Sequence, residues 1–168
     1  VETSTEESLA GPLAMDGDSM QRLMHAWADG RFMENYQSIY DSHGWVKYAF
    51  VALYTGMPDG HDAAMSTQMI ESVHLFSTHP IVVVNVGMAT PLLWHPQRYP
   101  RLVLLHAAPI PSGSAARSFR VNKLRAILLA QAHVGVLLEI SQFVAPGVDA
   151  LFPVVEQEIN RKYRLPIL

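Results

Sequence analysis

FRVNKLRAILLAQAHVGVLLEISQFVAPGVDALF, residues Phe119 to Phe152, is the stretch whose reading decides the fold. Its first part, Phe119 to Gln131, has the composition of a helix. Val134, Val136, Leu137 and Leu138 then form a short apolar run, as in a strand covered on both faces. The run stops at Glu139, Ser141 and Gln142, and a second helix is expected from about Gly147 or Asp149 to Lys162. Helix, apolar strand, polar strand end and helix is the grammar of an open α/β sheet. Ligands of such sheets sit outside the carboxyl ends of the strands, so a site is expected at Glu139–Gln142.

Outward from this stretch the same grammar recurs. Val46 to Tyr54 reads as the first core strand, followed by the loop Thr55–Gly60. Asp62 to Ser77 reads as a helix with Asp62 as its N-cap and Ala64, Met65, Met69, Val73 and Phe76 as its apolar face. Ile81 to Val86 is β-branched and nearly continuous, as in a central strand. Gly87 to Tyr99 reads as a proline-punctuated crossover with a short helical turn. Arg101 to His106 reads as the third strand, and Ala107 to Ser118 as a Pro, Ser and Gly loop. This order predicts an α/β, three-layer Rossmann-like sheet, mostly parallel, with helices on both faces.

The two ends differ from this core. Val1 to Ala14 is acidic and Ser/Thr-rich, as in a flexible lead. A helix is expected from about Asp18 to Tyr40, with Met20, Leu23, Met24 and Trp27 near helical spacing and Gly30 as a break. Residues 1–44 therefore read as a lead plus a helical extension, and 45–168 as the main domain. The Met-rich helix is a candidate docking element for a protein partner. Leu165 to Leu168 reads as the start of a further strand. The first residue is Val rather than Met, as in a processed or partial chain, and the compartment stays open, secretory and organellar origins included.

Along Lys123-Leu124, Glu139-Ile140-Ser141 and Val148-Asp149-Ala150-Leu151-Phe152 the chain resembles the donor-binding half of GT-A glycosyltransferases of the glycogenin and galactinol-synthase type. The resemblance extends more loosely back to Val46. It implies a nucleoside-diphosphate-sugar ligand, a divalent manganese or magnesium ion, and a mobile loop near Ala107–Ser118 beside the donor. Glu139 and Ser141 stand where that family has an Asp-X-Asp pair, so they are the expected metal positions. Lys123 is the expected phosphate contact. Tyr54 and Thr55 are nucleotide contacts by their place after the first strand, and Gln142 completes the set. The motif is degenerate: a serine at 141 removes a full charge, and the longer Glu139 shifts its oxygens by roughly 1 Å. The resemblance thus implies a transferase-like domain with weakened metal chemistry. The alternative is a non-catalytic accessory subunit that reuses the fold.

Bulk properties bound these readings. The chain has 168 residues, 49% hydrophobic and 16% charged, with a net charge of −3 and no cysteine. That is enough for one core, excludes disulfides and thiolate metal sites, and gives no general affinity for nucleic acid. No apolar run reaches a membrane-span length. Charge is unevenly spread. No Asp or Glu occurs from Ser72 to Leu138, which holds Arg98, Arg101, Arg117, Arg120, Lys123 and Arg125. Such a region suits an anionic ligand. Eight histidines occur, none in a paired metal-binding spacing, and no P-loop, Gly-x-Gly-x2-Gly or Gly-x-Ser-x-Gly motif is present.

Overall fold

The structure is a computed structural model and describes residues 32–87 and 89–163. The lead, the helical reading over Asp18–Gly30 with its Met20–Trp27 face, and the strand reading at Leu165–Leu168 lie outside the described residues. Within them the strands are β1 (Val46–Tyr54), β2 (Ile81–Asn85), β3 (Leu102–His106) and β4 (Ala132–Leu138). The helices are α1 (Met33–Ile39), α2 (His61–Phe76), α3 (Ala115–Leu129) and α4 (Leu151–Tyr163), the last preceded by a 3-10 turn at Val148–Ala150.

All strand pairs are parallel, in the order β3-β2-β1-β4. The chain winds outward from β1 through β2 to β3, then returns through α3 to pair β4 with the other side of β1. Strand order therefore reverses between β1 and β4. Alternate residues feed two cores, as the period of a strand requires. Phe50, Ala52, Tyr54, Ile81, Val83 and Leu104 pack on one face with Met69, Ile70 and Val73 of α2 and with Phe152 of α4. Ala49, Val51, Leu53, Val82, Val84 and Val103 pack on the other with Ala126 of α3 and Met33 and Tyr36 of α1. The fold is thus the three-layer α/β arrangement that the alternation of strands and helices predicts.

Several local expectations are corrected. Among the described residues β4 lies at one end of the sheet and is not fully covered on both faces: Val134 and Leu138 are buried, but Val136 and Leu137 are only half-buried and Gly135 is exposed. The buried face of α2 is Ala63, Ser66, Thr67, Met69, Ile70 and Val73, while Ala64 and Phe76 are exposed. Two of the small hydroxyl residues on this helix bond back to its own carbonyls. Thr67 Oγ1 donates to Ala63 O, and Ser72 Oγ donates to Met69 O. Asp62 is not the cap of α2; Gly60 precedes the helix, and Asp62 sits in the first turn, where an anion suits the helix dipole. α3 begins four residues earlier than the composition suggests, because Ser114 accepts from the Arg117 amide and caps it.

Two anchors were not marked by hydrophobic periodicity. Trp94, in the crossover, is fully buried, and its Nε1–H donates to Thr67 Oγ1 at 3.0 Å. Asn35 of α1 donates to the carbonyls of Pro96, Tyr99 and Leu102, which ties α1 to the start of β3. Residues 32–40 therefore share the core of the sheet.

Candidate functional site

Glu139 follows the last residue of β4 at the carboxyl edge of the sheet. Its amide donates to Gln142 Oε1 at 2.8 Å, and the Gln142 amide donates to Glu139 O at 2.9 Å. The two bonds close the segment Glu139–Gln142 into a tight turn and set the Glu139 side chain at a fixed point. Lys123, on α3, reaches that carboxylate and forms an ion pair with it. The lysine is largely covered, at 21% side-chain exposure against 42% for the glutamate. Phe119, one helical turn before Lys123, lies with its ring 5.9 Å from the ammonium. An aromatic and a cation at i and i+4 share one helix face, so this spacing could have flagged Phe119 in the sequence.

The position of the pair follows from topology. β1 and β4 are neighbours, with Ala52 opposite Leu138. The reversal of strand order lies between them, which is where open α/β sheets open a crevice at their carboxyl edge. Of the residues expected there, Lys123, Glu139 and Gln142 converge. Ser141 is exposed in the same turn, and Thr55 is exposed at the end of the neighbouring strand. Tyr54 differs. It is 1% exposed, its ring meets Trp94 edge-on at 5.2 Å, and its hydroxyl donates to Met57 O. Burial, with the charges of Asp62 and Asp59, pushes its phenol upward. Tyr54 packs on the α2 face, opposite the α3 face that delivers Lys123.

The loops at this carboxyl edge are held tightly. Glycine is required at Gly87, where a Cβ would lie 2.4 Å from the Gly56 carbonyl oxygen; the loops after β1 and β2 meet backbone to backbone. The loop after β3 is bound to α3 by one helical stripe. Ser118 Oγ donates to Ile110 O, the buried Asn122 both accepts from Ile110 N–H and donates to Ile110 O, and Arg125 donates to Ala108 O. On the α2 face, a groove of about 560 Å³ runs beneath the turn, lined by Val136, Leu138, Gln142, Phe143 and Pro146 among others.

Asp149, in the closing segment, serves elsewhere. Its carboxylate does not cap its own turn; it accepts from Ser77 Oγ and from the amide and hydroxyl of Thr78, the latter two at 2.8 Å. Burial works against its charge, but these donors outweigh it and hold the carboxyl below its usual range. Asp149 therefore pins the chain after β4 to the turn between α2 and β2.

Divalent cations such as manganese and magnesium are held by several oxygens, carboxylates foremost. Here Glu139 supplies one carboxylate, already neutralised by Lys123, and Ser141 one neutral hydroxyl. Among the described residues no group of three or more His, Cys, Asp or Glu converges. This donor set does not fit a divalent cation. Also among the described residues, no helix is long and apolar enough to cross a membrane. No family model, characterised protein or solved structure matches this chain.

Proposed function

We propose that this chain is a nucleoside-diphosphate-sugar-binding domain of glycosyltransferase type, impaired in metal-dependent transfer. The observation that carries this reading is the convergence of Lys123, Glu139 and Gln142 beside the crevice between β1 and β4. These are the residues named by the resemblance, and the crevice is where the topology alone would seat a ligand. Lys123 supplies the positive charge for a diphosphate, and the acid-free stretch around it adds a favourable field. The impairment follows from the donor set: one paired carboxylate and one hydroxyl in place of two carboxylates. Calorimetric titration with UDP and a UDP-sugar tests the reading. Micromolar binding that weakens at least tenfold in Lys123→Ala supports it. Absence of binding to both sinks it.

The second reading is a non-catalytic accessory subunit. A specific observation favours it: on α3, Leu124 and Leu128 are 65% and 56% exposed, and Ile127 is also exposed. These three side chains fall at helical spacing, so an apolar stripe faces away from the sheet. Under this reading UDP does not bind, and substituting Leu124 and Leu128 with Lys removes association with a protein partner.

A further inference from the structure

We infer that the Lys123 ammonium takes the place of a divalent cation at this edge, so that a diphosphate is held here without metal. The inference rests on the reading of the site as a diphosphate-binding one, and it concerns how that charge is met. Three observations lead to it. The ammonium lies against the Glu139 carboxylate, the single acidic group of the turn Glu139–Gln142. A divalent ion using that carboxylate would have to displace a largely covered lysine or sit beside a like charge. The glutamate backbone is closed on Gln142 from both sides, so the carboxylate has a fixed origin from which to meet the lysine.

The roles of the two residues then separate. Lys123 is the anion contact, with its ammonium 5.9 Å from the centre of the Phe119 ring. Glu139 is a positioning residue: it holds the ammonium at the mouth of the crevice and competes with an incoming anion for it. Lys123 must exchange Glu139 for the diphosphate, or share itself between them, whenever a ligand enters. Affinity is therefore set by a competition inside the protein rather than by metal concentration.

The test is UDP titration of the full chain in EDTA and in manganese, with free manganese followed by electron paramagnetic resonance. The expected result is the same affinity in both conditions, within about threefold, and no manganese uptake by the ligand-free protein. Lys123→Ala should abolish binding and Lys123→Arg should retain it. Glu139→Gln should tighten binding roughly fivefold by removing the competitor, a gain that a merely structural role for Glu139 would not produce. Binding at least tenfold tighter in manganese, or uptake of manganese by the free protein that Glu139→Gln removes, overturns the inference together with the impairment argued from the donor set, and leaves only the reading of a diphosphate-binding site standing. No UDP binding in either condition overturns the parent reading and the inference together.

Discussion

His74 is the clearest case of a single residue set by its surroundings. Its Nδ1 lies 2.9 Å from Ile70 O, and its Nε2 accepts from the Arg101 amide at 3.1 Å. That pair of partners selects one neutral tautomer, with the proton on Nδ1. Burial disfavours the charged ring most, and the nearby Arg101 guanidinium adds to it, so the imidazole is held below its ordinary value. The sign follows directly. The unfolded chain protonates His74 near pH ~6.5, before the folded chain does, so the unfolded state binds more protons as pH falls. The stabilising contribution is complete above that pH and is lost below it. His74→Gln should flatten this part of the profile, read as the urea midpoint at pH values on either side of the transition. A wild-type fall that persists unchanged in the variant would assign the effect to another histidine.

At the scale of the element, α3 has two working faces. One stripe, Ser118, Asn122 and Arg125, clasps the loop after β3; the neighbouring one, Phe119 and Lys123, faces the turn after β4. Asn122 is the centre of the clasp. It is 3% exposed and meets both the amide and the carbonyl of Ile110, and also donates to Ser118 O. Asn122→Ala removes the acceptor of the Ile110 amide and one of the two side-chain donors to the Ile110 carbonyl, and should cost about 1 kcal/mol, measured by urea unfolding. Loss of the clasp also frees the loop, so proteolysis between Ala107 and Ser114 should accelerate. The resemblance implied a mobile loop here. A composition of Pro, Ser and Gly does not record the hydrogen bonds that the following helix supplies.

For the molecule as a whole, the segment after β4 closes the structure. It runs from the carboxyl edge down one face, is fastened at Asp149 to Ser77 and Thr78, and inserts Phe152 into the core. Phe152 is fully buried, stacked with Tyr48 at 5.2 Å and edge-on to Phe50 and His79. Among the described residues it is the one fully buried α4 side chain of the main core cluster, with Val155 packed against that cluster from the next turn. Phe152→Ala should cost about 3–5 kcal/mol and lower the melting temperature by roughly 2–4 °C per kcal/mol for a chain of this size. If the loss is under about 1 kcal/mol, α4 is not integral to the fold and the segment after β4 is held by Asp149 instead.

The elements and their order were legible in the residue pattern alone. Strand and helix periods differ, and β1 and β2 are apolar enough on both faces to demand cover, so the parallel sheet was legible in Val46–Tyr54 and Ile81–Val86. The grouping of Glu139 and Gln142 was legible too, because they are neighbours at a strand end. What only the tertiary structure decided is which distant residues meet. The Lys123–Glu139 pair spans the α3–β4 connection, and its meaning, a cation already in place at the carboxylate, depends on helix rotation over the sheet. The edge position of β4 depends on the chain reversing direction after β3, which no local pattern encodes. Trp94 sits in a crossover without periodicity, and Asn35 and Asn122 are polar residues on helices; the burial of all three depends on tertiary partners, up to 67 residues away for Asn35. Tyr54 makes the same point in reverse: its place after the first strand suggested a ligand contact, while the alternation of the strand turned its ring into the core.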